Sequence, residues 1–468
     1  MVTSNLAKKL INICLSTGGD FAEIYSQKNT TSSYSMENEV LDQVISSQGG
    51  GVGIRIIKGL ESVYGYITGY NKNELIDLAT TLSLRFSGEQ IKTVDKFLPL
   101  KVAKGICHQE IPYENVDRKV IIDKLRAGSL IMKEYSSDII RRIAALSINV
   151  IDYEVFNSDK KHISNRKVNA RIMANCVSSK NNKVQPTFNA KGTTAGWEFF
   201  ENFDFNKLCE KTAKTNILML NAKECPSGRM PVIIGNGFGG VLFHEACGHP
   251  LEASAVSKNL SCFSGKLGEA IASPIVNAFD DATIPNAWGS FNVDDEGHSP
   301  HKTQLIKNGI CMDYLIDPFN GKRMNSKENG TSRRQSFRFE PTSRMSNTYI
   351  DNGTSTVEEI FKATKLGLYL VSFNGGSVDP STGEFNFGAS EAYIVRDGKI
   401  AEPVRGATLI GKGNEILFNI DMIANDLDLA DGMCGAASGS IPVQVGQPTL
   451  RIKDITVGGA GGKLEWTL

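Results

Sequence analysis

The chain has 468 residues, and its 51 Lys plus Arg balance 51 Asp plus Glu to a formal net charge of zero. That balance gives no general electrostatic drive towards DNA, RNA or anionic lipid, and no apolar run approaches the roughly 20 residues that cross a bilayer. Nine scattered cysteines, an odd number without a CxxC pair, do not make a disulfide framework. The composition predicts a cytoplasmic enzyme long enough for two or three domains, with no nucleic-acid partner and no membrane association.

In chain order, residues 1–15 carry two lysines and a modest apolar face without a long apolar core, which reads as a first helix and not a signal peptide. Residues 21–31 read as a strand, and 32–47 alternate polar and apolar residues as strands do. Gly49-Gly50-Gly51 is expected to turn the chain. After it, 52–57 and 62–68 form a hairpin around Lys58-Gly59. Residues 73–86 and 116–134 have helical periodicity, with Asn73 and Asn115 as caps, and 88–112 between them is connection. Residues 139–156 and 169–177 are strand-rich, and 202–220 are helical. Residues 223–229 (KECPSGR) have the composition of a linker. The fold class is therefore α+β. An amino-terminal α+β domain with antiparallel sheet spans 1–222, and a β-rich, barrel-like domain spans 223–468. In the second, short strands are predicted at 230–235, 304–315, 368–374, 391–396 and 448–457.

Only six histidines occur in the chain, and two of them flank an acidic residue in Phe243-His244-Glu245-Ala246-Cys247-Gly248-His249-Pro250. This pattern points to a metal held by His244 and His249, with Glu245 as the base acting on a metal-activated water. The histidines are five residues apart, where the common motif has four. At about 100° per residue, five α-helical steps leave the side chains roughly 140° apart. Gly248 and Pro250 predict that His244 lies on a regular helical turn and His249 where that helix stops; a π-bulge is the other solution. A catalytic zinc needs a third protein ligand. The candidates are Cys434, in a Gly-rich, turn-like stretch, together with His298, His301 and Glu252. Cys247, inside the motif, is too close in sequence to converge on the same ion.

These residues resemble the TldD/PmbA family of metallopeptidases, whose TldD-type members carry His-Glu-x-x-x-His. The resemblance rests on FHEACGHPLEAS (243–254), GSFNVDDEG (289–297), SRMSNTY (343–349), ASEAYIV (389–395), PVRGATLIGKG (403–413) and VGQPTL (445–450), with GGVGIR (50–55) the best amino-terminal piece. It implies that His244, His249 and Cys434 are metal ligands and that Glu245 is the catalytic acid/base. It also implies peptide or partly unfolded polypeptide substrates and a dimer, either a homodimer or a heterodimer with a motif-lacking PmbA-type relative. Pro250 stands where Gly is more usual in the family.

The chemistry expected is zinc-dependent amide hydrolysis, in which Glu245 takes the water proton and returns it to the leaving amine. Two imidazoles and a thiolate favour zinc over magnesium or calcium, with another divalent transition metal still open. The competing reading is a non-catalytic, peptide-binding or chaperone-like subunit, and the intact motif favours the enzyme. Three further features read as ordinary surface. The basic run Arg333-Arg334-Gln335-Ser336-Phe337-Arg338 and the acidic cluster Asp294-Asp295-Glu296 read as solvated loops, and the glycines of Phe373-Asn374-Gly375-Gly376-Ser377 as plain turns.

Overall fold

The computed structural model describes residues 1–103, 105–379 and 381–464. Helix α1 (Ser4–Leu15) begins where the Thr3 hydroxyl accepts a hydrogen bond from the Leu6 amide, and it buries Ala7, Leu10, Ile11, Cys14 and Leu15. Strands β1 (Phe21–Glu37), β2 (Val40–Lys58) and β3 (Glu61–Thr68) follow, then helices α2 (Lys72–Ser83) and α3 (Arg118–Tyr135). Next come β4 (Ile139–Asn157), β5 (Lys161–Lys180) and β6 (Lys183–Thr193), then α4 (Trp197–Asn202) and α5 (Phe205–Asn221). The six strands form one antiparallel sheet in the order β3-β2-β1-β4-β5-β6. Apolar residues of α1 and α2 pack on β1 and β2, and those of α3, α4 and α5 pack on β4 and β5.

Several local expectations are corrected. Gly49, Gly50 and Gly51 do not turn the chain; they lie inside β2, opposite Asn29, Lys28 and Gln27. The turn is at Asn38 and Glu39, both at positive φ. The glycines serve close approach, since a Cβ on Gly50 would overlap the Gln27 carbonyl and the Tyr70 hydroxyl. The caps also shift. Asn71, not Asn73, accepts the first amides of α2, and Asp117, not Asn115, caps α3. The helix expected over 202–220 is present as α5 and starts three residues later, where Asp204 caps it. Lys223–Glu224, expected in a linker, instead pairs with Val404 and Arg405. The run 373–377 is strand, not turn.

The carboxy-terminal half contains β7 (Gly228–Ile234), β8 (Ala278–Asp281), β9 (Lys302–Lys307), β10 (Asn347–Ile350), β11 (Leu366–Val378), β12 (Glu384–Arg396), β13 (Lys399–Arg405), β14 (Thr408–Lys412), β15 (Asp428–Ala436), β16 (Gly439–Gln447) and β17 (Leu450–Gly458). Pairings β7-β17-β14-β12-β11-β7 close a barrel, with β11 and β7 parallel and the others antiparallel. A second sheet runs β9-β8-β10-β16-β15 and ends in the hairpin β15–β16. The barrel core holds Val232, Ile234, Leu368, Leu370, Phe387 and Leu409, and the motif residues Phe243, Ala246 and Cys247 belong to the same apolar cluster. The expected α+β class, with an antiparallel amino-terminal sheet and a barrel beside the motif, is what the chain adopts. No described helix is long and apolar enough to cross a membrane.

Candidate metal centre

Strand β7 delivers the chain to the motif. Gly235 still bonds to Leu370, a tight turn over 237–240 follows, and Val241–Phe243 starts a helix. From His244 to Gly248 the helix widens into a π turn, closed by the His249 amide donating to the His244 carbonyl. An i→i+5 ring brings residues five apart onto one face, which is how this spacing makes two imidazoles converge. His249 keeps helical backbone angles (φ −59°, ψ −43°), and the chain leaves helical conformation only at Glu252. So the π-bulge is realised, and the expected stop at His249 is not. Pro250 falls in the first turn of the short 3₁₀ segment His249–Leu251, where a missing N–H costs little. Gly248 allows the wide turn to sit against Met345, since a Cβ there would overlap the Met345 sulfur.

The third member is Cys434. It lies on β15 opposite Ile441 of β16, on a regular strand and not in a turn-like stretch. Its Sγ is 3.3 Å from His244 Nε2 and 3.1 Å from His249 Nε2. One ligand atom from each residue falls within 4.8 Å of the others. A tetrahedral ion with ordinary Zn–N and Zn–S bonds would space such donors roughly 3.5 Å apart, so this donor set fits zinc in both chemistry and separation. Burial would push the Cys434 thiol up, but the His244 and His249 imidazoles reverse it and pull the group down to about 3. The thiolate, the ligating form, is thus favoured. Glu245 sits beside the set, with Oε2 3.7 Å from His249 Nε2 and its side chain 20% exposed. Burial raises its pKa, and the two imidazoles oppose that only in part.

Of the other ligand candidates, Glu252 meets His249 from behind, with Oε2 3.2 Å from Nδ1. That contact fixes the ring with Nε2 towards Cys434. Burial disfavours the His249 imidazolium, but Glu252 and Cys434 outweigh it and the pKa rises. His298 lies 3.5 Å from Asp294 and His301 is exposed; neither is in the cluster. Cys247 is fully buried in the core, where burial holds its thiol well above the usual range.

Arg344 has no counterpart in the sequence reading. It is fully buried, donates to the main-chain oxygens of Cys434 (2.6 Å) and Gly439 (2.9 Å) and to Ser438 Oγ (2.9 Å), and lies 3.7 Å from Glu252. Its only signal is its place inside SRMSNTY. Two surface readings are also corrected. Asp294, Asp295 and Glu296 are buried, with Glu296 paired to Arg55 at 2.8 Å and Asp295 to Lys167. Arg333 and Arg334 are buried too, and Arg334 pairs with Glu23 at 2.6 Å. These charges stitch the amino-terminal sheet to the carboxy-terminal half, so they could not remain in solvent.

Two family models match the chain: "PmbA/TldA metallopeptidase C-terminal domain" over residues 227–459 and "PmbA/TldA metallopeptidase domain 1" over 22–93. The metalloprotease TldD homolog of Haemophilus influenzae is 33% identical over 451 residues, covering 94% of this chain and 93% of that protein. The chain belongs to the TldD/PmbA metallopeptidase family. A second TldD/PmbA relative, the zinc metalloprotease TldD homolog of Saccharolobus solfataricus, is 31% identical over 261 residues, covering 56% of this chain and 58% of that protein. The fold of this TldD/PmbA chain is shared by the solved TldE of Thermococcus kodakarensis. The TM-score is 0.76 at 18% identity, covering 97% and 99% of the two chains.

Proposed function

We propose that this chain is a zinc-dependent peptidase in which His244, His249 and Cys434 hold the metal and Glu245 is the general base. The observation that carries the reading is the convergence of three metal-ligating atoms beside one half-buried carboxylate. When bound, zinc supplies a Lewis acid that lowers the pKa of water towards neutrality and polarises a scissile carbonyl. Glu245 takes a proton from the attacking water and delivers it to the leaving amine. A carboxylate whose pKa is raised by burial suits both transfers. Glu252 holds His249 in one tautomer, and Arg344 holds the strand that presents Cys434.

The substrates are peptides or partly unfolded polypeptides, and the chain works in the cytoplasm as a dimer with itself or with a motif-lacking relative. The shared fold with a chain named TldE supports pairing within the family. The organisation is two domains meeting near residue 222, in line with separate family models for the two parts. The test is Glu245→Gln. This variant keeps its metal and loses hydrolysis of an unstructured peptide by roughly 10²–10⁴-fold. Wild-type activity in it would remove Glu245 from the role of base.

A further inference from the structure

A cavity of about 410 Å³ lies between the amino-terminal sheet and the hairpin β15–β16 that carries Cys434. Five cations reach its wall, Arg166, Lys167, Arg171, Arg333 and Arg334, against the single carboxylate of Asp295. Three of the five are neutralised by protein groups. Arg166 pairs with Glu114 (2.6 Å), Lys167 with Asp295, and Arg334 with Glu23 (2.6 Å). Arg171 and Arg333 have no carboxylate partner among the described residues.

Arg171 donates through Nη2 to the Asp431 main-chain oxygen at 3.0 Å, and its guanidinium lies 5.6 and 5.9 Å from the ring centres of Phe188 and Trp288. Its Nε is buried without a hydrogen-bond partner among the described residues. The Asp431 carboxylate is bonded by the Gly192 amide, Gln444 and Lys191, and it offsets the burial of Arg171 only in part and without a direct contact. Arg333 is 8% exposed and, among the described residues, donates to the carbonyls of Met345 and Pro442 alone. Arg334, on the same wall, has two buried nitrogens, Nε and Nη1, without acceptors. Burial depresses the pKa of both unpaired guanidiniums, that of Arg333 to about 10. Arg333 is buried, and half-buried Arg171 and buried Arg334 carry the orphan donors; withdrawing such cations from water is costly, and a bound anion offsets the cost. Guanidinium forks match a carboxylate or a phosphate. The rest of the wall combines an apolar surface, with Trp288, Phe291, Ile151, Met433 and Ile441, and uncharged polar side chains such as Asn149, Asn165 and Asn169. A bare phosphate would leave that surface unused, whereas an amino-acid residue bearing a carboxylate fills both parts.

We propose that this cavity binds the carboxylate of a peptide between Arg171 and Arg333, and so selects anionic substrates. The proposal rests on the peptidase reading for its consequence, but not for its test. The carboxylate belongs either to the peptide carboxy terminus or to an acidic side chain. Both are read by titrating full-length, metal-loaded Glu245→Gln protein calorimetrically with one acetylated hexapeptide in three forms: all neutral with a terminal amide, the same with a free terminal carboxylate, and the amide with a Glu replacing a Gln. At least one acid form is expected to bind roughly tenfold or more tighter than the neutral form, and the form that does identifies the source. Arg171→Gln in the same background should abolish that preference, so that acid and neutral forms bind equally. Met433→Glu, at a half-exposed position on the cavity wall, should do the same by supplying the negative charge, which covers the case in which Arg171→Gln does not fold. Equal binding of all three forms, a preference that survives both variants, or displacement of the acidic peptide by equimolar inorganic phosphate would each overturn the proposal. Hydrolysis of the neutral peptide by the wild type reports separately on the peptidase reading. Preferential binding without turnover would leave the cavity assignment standing and remove the peptidase.

Discussion

Arg344 donates through Nη2 to the main-chain oxygen of Cys434 at 2.6 Å, so a fully buried guanidinium fixes the strand that brings the thiolate to the two histidines. The same side chain approaches Glu252 at 3.7 Å, and Glu252 holds His249. One cation therefore links two of the three residues of the cluster. Replacing it with Met strands an acceptor at Cys434 and leaves Glu252 with His249 as its remaining ionisable partner. Arg344→Met is predicted to cost about 3–5 kcal/mol of stability and to weaken metal binding. Denaturant unfolding and chelator competition measure the two effects; an unchanged metal affinity in a folded variant would show that the strand is placed without it.

Glu252 acts on one histidine only. Among the described residues His244 Nδ1 is buried without a hydrogen-bond partner, whereas His249 Nδ1 meets Glu252. Glu252→Gln preserves shape but removes the charge. It should reduce metal affinity by roughly 10–100-fold with little change in fold. Zinc-buffer titration of wild type and variant decides it, and equal dissociation constants would reduce Glu252 to packing.

The π turn depends on a missing methyl group. A Cβ at Gly248 would run into the sulfur of Met345, which is fully buried. Gly248→Ala should cost about 1–3 kcal/mol as overpacking. Met345→Ala in the same chain should recover part of it, giving a favourable coupling in a double-mutant cycle. Strictly additive losses would place the constraint in the backbone of the turn instead.

Stability should depend on pH through Glu296. Burial raises this carboxyl to about 7, with Arg55 opposing in part, while an unfolded Glu titrates near about 4.3. Between those values the native state holds a proton that the unfolded state has released, so stability falls as pH rises through the window and levels off above it. Glu296→Gln cannot titrate. The melting temperature of the variant relative to wild type should therefore climb from pH 4.5 to 7.5. A constant difference would mean that Glu296 ionises normally in the folded chain.

The sequence made His244, Glu245 and His249 legible because the ligand types and their near spacing are local. It also carried the α+β class and most of the strands, since alternation and glycine punctuation are local too. What it could not carry was long-range. Cys434 stands in a Gly-rich stretch as one ligand candidate among four, and only the family resemblance singles it out. Glu252 was weighed as a ligand because a carboxylate three residues from His249 reads alike whether it faces the ion or the back of the ring. Gly49 to Gly51 read as a turn because a glycine run has the same signature whether it bends a chain or admits a close neighbour. The run at Arg333 and Arg334 and the cluster at 294–296 read as solvated for the same reason. Arg334, Asp295 and Glu296 cancel the charges of Glu23, Lys167 and Arg55, and that pairing exists only once the two halves meet.

The central claim is that His244, His249 and Cys434 form one metal site. Elemental analysis of the purified chain, alongside His249→Ala and Cys434→Ala, tests it most directly. About one zinc per chain in the wild type, lost from both folded variants, is the predicted result. A wild type that takes up no zinc when it is added, or a Cys434→Ala chain that keeps its full complement, would contradict it.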